Sequence, residues 1–168
     1  MARLDTPASL LIFQVSNRLA AFRREDVDRI APMAELACPP GLPAALEGVL
    51  NLAGAAIPVL RLDRLFGLRG QRVGLYSTLV VVRTAREVRI AVLADRVREI
   101  LSVPESALVA IGPEDSFNGC AEAAVQVEGE TVPLLSAARL LVAKERSALA
   151  EFQSMAQQRL QQWETHRT

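Results

Sequence analysis

The chain has 168 residues, with 19 Lys and Arg against 19 Asp and Glu, and 51% hydrophobic and 23% charged residues. That length buries a real core without staples, and the composition is that of an ordinary globular protein, which excludes a disordered chain. The formal net charge of zero gives no general attraction to nucleic acid or to anionic membranes.

Met1 to Ser9 carries one Arg and one Asp and has no signal-peptide pattern, and no apolar run reaches the ~18 residues of a membrane span. The expectation is a cytoplasmic protein without direct membrane insertion. Cys38 and Cys120 have neither zinc-site spacing nor the density of a disulfide scaffold, and predict two reduced, buried thiols.

Short aliphatic segments between turn residues predict an all-β body. Leu10 to Val15, the Ser16-Asn17 turn and Leu19 to Phe22 form a first hairpin. Glu25 to Ile30 predicts one helical turn running into an extended piece that ends at Pro32, and the proline-rich stretch Cys38 to Pro43 is a loop. Val49 to Leu52 and Ala56 to Leu60 pair across Ala53-Gly54, where Gly54 supplies positive φ. Pro58 in the returning strand predicts an edge or a bulge. A short helix at Leu62 to Phe66, a linker from Gly67 to Gly74, strands at Thr78 to Arg83 and Val88 to Ala94, and a last hairpin at Ala123 to Leu135 follow.

That last hairpin repeats the earlier one. A shift of 75 places Gly129 on Gly54, Pro133 on Pro58, Arg139 on Arg64 and Leu140 on Leu65, while a shift of 70 places Val97 on Val27 and Ile100 on Ile30. A duplicated five-strand unit too small to be stable alone predicts two copies sharing an interface.

No catalytic constellation can be nominated. The single histidine, His166, lies in a polar tail, and Asp63, Asp95, Glu99, Glu105, Glu114 and Asp115 are scattered as solvated surface carboxylates. No metal or cofactor is implied. An all-β body with exposed edges and apolar grooves instead predicts a surface that binds protein.

From Ser136 to Trp163 the chain carries one long helical pattern. Leu149, Phe152, Ala156, Leu160 and Trp163 recur at intervals of three, four, four and three and form one apolar stripe, with Ser147 a weak candidate cap. The stripe either packs on the protein's own barrel or projects to bind a second copy or a signalling partner.

The run from Gly48 to Gly54, with Asn51-Leu52-Ala53-Gly54 before Ile57-Pro58-Val59 and then Leu62 to Leu68, closely resembles the signature of the CheW family of chemotaxis adaptors. The resemblance extends from about Leu10 to Leu141. It implies two intertwined five-stranded β-barrel lobes, about 10–68 and 76–141, around a shared apolar seam, with residues 1–9 as an N-terminal segment and 142–168 as a helical extension. It also implies a non-catalytic role coupling the cytoplasmic tip of a methyl-accepting chemoreceptor to the regulatory domain of a CheA-type histidine kinase. The matching docking positions are Val27, Ile30, Gly48, Asn51, Leu52 and Gly54. Each has a structural reading too: Val27 and Ile30 as core, the glycines as backbone geometry, and Asn51 as a brace for its turn. Two positions depart from the family, Ala53 where it has Arg and Arg29 where it tends to have an acid, and they point to an alternative chemosensory pathway. Other CheW-like domains, or a second copy met through Phe152 and Trp163, are further candidate partners.

Overall fold

The computed structural model describes residues 6–70, 72–111 and 117–165; His166, Glu114 and Asp115 lie outside them. Among the described residues, ten strands and two α-helices follow in order: β1 (Pro7–Val15), β2 (Arg18–Arg23), β3 (Val27–Pro32), β4 (Leu46–Leu52), β5 (Ala55–Leu60), α1 (Leu62–Phe66), β6 (Thr78–Arg83), β7 (Arg89–Ala94), β8 (Arg96–Pro104), β9 (Ala121–Val127), β10 (Glu130–Leu135) and α2 (Ala137–Thr165). The nine-residue strand β8 is the element that sequence patterning left without a boundary, because its exposed and half-buried residues carry little apolar signal.

The strands form two five-stranded sheets, in the orders β8-β1-β2-β10-β9 and β3-β6-β7-β5-β4. The division into contiguous lobes at 10–68 and 76–141 is therefore not the division of the sheets. The hairpin β1–β2 belongs with β8 to β10, and the hairpin β6–β7 belongs with β3 to β5. Apolar periodicity reveals which segments are strands but not which copy of a repeated unit fills an open edge. Since the two copies offer equivalent edges, exchanging the hairpins satisfies the same backbone groups.

The duplication extends to details of register. The parallel contacts Val59↔Ala91 and Leu134↔Ala21 correspond in the two sheets. One bulge skips Glu47 between Leu46 and Gly48, and its counterpart skips Glu122 between Ala121 and Ala123. A second pair skips Asp28 on β3 and Arg98 on β8. Each sheet is also drawn toward closure by one bridge, Ala37 with Val49 and Val109 with Ala124, with backbone N–H···O distances of 2.8–2.9 Å.

Pro58 corrects the edge-strand expectation, for β5 lies between β7 and β4. Its partner Val49 turns its own backbone groups to Ala37, so the N–H that proline lacks would point to the β7 side. There the pairing involves only Val59 and Leu60, and no ladder bond is lost.

Alternate residues of the central hairpins face different cores. Leu11, Phe13 and Val15 of β1 and Val80 and Val82 of β6 meet in a seam shared by the two sheets, with Phe13 stacked on Phe22 at 5.3 Å. Leu10 and Ile12 fill one barrel, and Leu79 and Val81 fill the other. Strands buried on both faces read as continuous apolar runs, and here they weld the two barrels into one body.

Ser16 and Asn17 (φ 51° and 66°), Ala53 and Gly54 (φ 50° and 87°) and Glu128 and Gly129 (φ 50° and 77°) make the left-handed two-residue turns that suit twisted hairpins. Helix α1 stops after five residues at Gly67, which is left-handed at φ 66°. The position 75 later is Val142, so the equivalent helix α2 continues to Thr165. Its cap is Ser136, whose Oγ accepts the Arg139 N–H at 3.3 Å, and not Ser147. The cysteines also differ from expectation, since Cys120 is buried but Cys38 is exposed in the loop after β3.

Candidate functional site: the β3 edge and the β4–β5 hairpin

Strand β3 is an outer strand of its sheet, and its side chains divide between core and surface. Val27 is 7% exposed and packs in the seam, so the structure places it in the core. Ile30 is 46% exposed, and Arg29 beside it is exposed. Of these two apolar positions, only Ile30 presents its side chain to solvent.

At the other edge, Gly48 is buried where the chain before it passes very close. A Cβ there would lie 2.7 Å from Leu36 Cβ and 3.0 Å from the Ala37 carbonyl oxygen, so glycine is required by the bridge that closes the barrel. Asn51 accepts the Gly54 N–H at 2.9 Å through Oδ1, bracing the turn, while Ala53 and Gly54 are exposed at its tip. Leu52 packs with Ala31 against the interior of the same barrel. Thus Leu52, Gly48 and Asn51 hold the hairpin in shape, while Ala53, Gly54, Arg29 and Ile30 supply surface.

Sequence reading missed the charged group beside Ile30. Asp28, expelled from the ladder at the bulge, lies 3.6 Å from Arg29, 3.4 Å from Arg83 and 3.7 Å from Arg89. Arg83 and Arg89 face each other across the β6–β7 pair, so three guanidinium groups from three neighbouring strands meet one carboxylate. The cluster keeps a surplus of positive charge at the β3 edge, two residues along the strand from the exposed Ile30. Its signal in the sequence was the Arg83 to Arg89 hairpin, but only the pairing of β3 with β6 brings Asp28 to it.

Beneath the hairpin a second charged group is structural. Arg61, 7% exposed, donates to Asp63 and, at 3.0 Å, to Glu47 at the β4 bulge. Asp63 is 3% exposed, not the solvated surface carboxylate expected from the sequence. The hydrogen bonds from Arg61 to Asp63, more than those to Glu47, keep the guanidinium firmly charged despite its burial. Arg64 and Arg139, matched by the repeat, each donate to the carbonyl of the chain entering β4 or β9, at Ala44 (3.0 Å) and Ala121 (3.1 Å).

Along α2 the structure separates anchor from stripe. Ala137 and Leu140 are buried, and farther on Glu151 accepts the Ala44 N–H at 3.0 Å. Phe152 and Trp163 are 69% and 68% exposed, so the stripe does not fold back on the barrel. Among the described residues, no three His, Cys, Asp or Glu side chains are grouped to hold a metal ion, and no helix is long and apolar enough to cross a membrane.

Two strand-exchanged barrels around one seam are the architecture of a CheW-like domain, and the family model for that domain matches residues 9–145. The chain belongs to the CheW-like family. It is 25% identical over 132 residues to the chemotaxis protein CheW of Thermotoga maritima, covering 79% of this chain and 86% of that protein. Its fold is also that of the scaffolding protein TtCheW from Thermoanaerobacter tengcongensis, with a TM-score of 0.72 at 20% identity over 78% of this chain and 90% of the other. The family match ends inside α2, before the stripe begins.

Proposed function

We propose that this chain is a non-catalytic cytoplasmic adaptor that couples a chemoreceptor tip to a CheA-type histidine kinase in a chemosensory array. The observation that carries this reading is the β3 edge of a CheW-like domain: Ile30 is exposed next to Arg29, Arg83 and Arg89 around Asp28. An apolar side chain supplies buried area, and fixed guanidinium groups orient a helix that carries acidic residues beside its apolar face. The adaptor performs no reaction; it holds two proteins at a fixed spacing and orientation.

Arg29 and Ala53 support a pathway other than the usual chemotactic one. A cation where the family tends to have an acid selects against partners that evolved to meet the acid, and alanine at the hairpin tip removes a five-donor side chain. The test is binding of purified chain to receptor cytoplasmic fragments and to kinase regulatory domains from the same cell. Ile30→Asp and Arg29→Glu should each weaken one of these complexes about tenfold or more, 1.4 kcal/mol, without changing the melting transition. Binding of neither partner by the native chain would refute the coupling role, and binding indifferent to both substitutions would move the site off β3.

A further inference from the structure

We propose that the distal half of α2 is a self-association site at which a second copy of this chain binds antiparallel, with the twofold axis at Ala156. The apolar stripe reads the same in both directions. Ala156 lies midway between Phe152 and Leu160 and also midway between Leu149 and Trp163. Two such helices running in opposite directions therefore set Phe152 on Leu160 and Leu149 on Trp163, twice each, with the small Ala156 at the crossing where the backbones come closest. Phe152, Met155, Ala156, Leu160 and Trp163, with Arg159 at the border, line one shallow, open concavity along the helix.

Charge selects the direction. Arg159 borders the stripe, and a parallel pair in register would set Arg159 against Arg159 and Glu164 against Glu164. The antiparallel pair sets Arg159 opposite Gln153 and Glu164 opposite Ala148, so no like charges meet. Glu151 faces the other way and is held by Ala44, so the stripe stays turned from the body when α2 is docked at its root.

The area suffices for a dissociable dimer. Leu149, Phe152, Met155, Leu160 and Trp163 are 57%, 69%, 49%, 60% and 68% exposed. At roughly 100 Å² each they offer about 500 Å² per copy. The total of about 1,000 Å² stands at the lower bound of specific interfaces. The stripe lies on a different element from β3 and beyond the family match, so substitutions in it test self-association without altering the β3 residues.

Sedimentation equilibrium of the full chain should show a mass rising from monomer to dimer with concentration. Phe152→Glu combined with Leu160→Glu should hold it at monomer with an unchanged melting transition. In a Cys38→Ser background, Ala156→Cys should oxidise to a disulfide-linked dimer by itself, whereas Leu149→Cys should cross-link only when mixed with Trp163→Cys, since those positions are about 21 Å apart along one helix. A native chain that stays monomeric at every concentration overturns the proposal, as does a dimer that survives the double substitution. Efficient cross-linking of Leu149→Cys alone overturns the antiparallel arrangement.

Discussion

Arg61 and Asp63 form a two-pronged pair in the protein interior, with Arg61 Nε donating to Oδ1 at 2.9 Å and Nη2 to Oδ2 at 2.6 Å. The pair sits where β5 turns into α1, and Arg61 also reaches Glu47, so three stretches of one barrel are fastened together. Removing one partner takes from the other buried charge its two-pronged hydrogen bonding. Arg61→Met and Asp63→Ala should each cost about 3–5 kcal/mol in urea unfolding. Loss of under about 1 kcal/mol would mean that solvent reaches the pair.

Val27 and Ile30, three residues apart on one strand, should respond in opposite ways. Val27→Asp places an unpaired carboxylate in the seam and should cost about 3 kcal/mol or more, whereas Ile30→Asp should leave stability nearly unchanged. Thermal melts of the two variants check this without any partner. A stable Val27→Asp protein would return that residue to the surface.

Gly48→Ala adds one methyl group to a site with no room for it. Leu36 and the Ala37 carbonyl must move, and the closing bridge should weaken at a cost of about 1–3 kcal/mol. Amide exchange at Ala37 and Val49 should quicken more than at β6 or β7. Uniform quickening would place the damage elsewhere.

Asp26 links stability to pH. Partial burial, aided by Glu25 and then Glu122, raises its carboxyl above the ordinary value. Well below the ordinary aspartate value of about 3.9 the group is neutral in both the folded and the unfolded chain and adds nothing. As pH rises from there through the raised folded value, the unfolded chain ionises more readily and stability is lost. Asp26→Asn should therefore melt higher than the native chain at pH 7, with the difference vanishing toward pH 3. An equal gain at both pH values would mean that ionisation is not its source.

The two thiols should separate by reactivity. Burial, opposed only in part by Arg139, pushes the Cys120 thiol up to about 11, while Cys38 is exposed. A thiol reagent at neutral pH should modify one cysteine in the folded chain and two in denaturant. Substitution of Cys38 by Ser should abolish the folded-state reaction.

Local signals carried most of the fold. The turns at Ser16-Asn17, Ala53-Gly54 and Glu128-Gly129, the apolar runs of β1, β6 and β7, and the repeat by 75 were all legible, because each depends on residues close in sequence. The exchange of hairpins was not, since β1 pairs with β8 across some ninety residues and nothing local distinguishes one copy's edge from the other's. The site divides similarly. Asn51 and Gly54 were readable as a turn, but the burial of Val27 and the exposure of Ile30 were not, since the bulge at Asp28 sets both opposite seam-facing valines of β6, Val82 and Val80, and the arginine cluster there depends on tertiary pairing.

The exchanged hairpins also set an order of events during synthesis. When β1 and β2 leave the ribosome, their sheet partners β8 to β10 have not been made, and Leu135 follows Arg23 by roughly 5–20 s of elongation. Through that interval a hairpin destined for burial on both faces stays open to chaperones and to neighbouring nascent chains. A second chain's β8 to β10 can accept it with the same ladder bonds as its own, so polysomes crowded with this message are the setting in which two molecules trade hairpins. Slow elongation between β2 and β8 should favour that traded product, and fast release should favour the self-contained monomer.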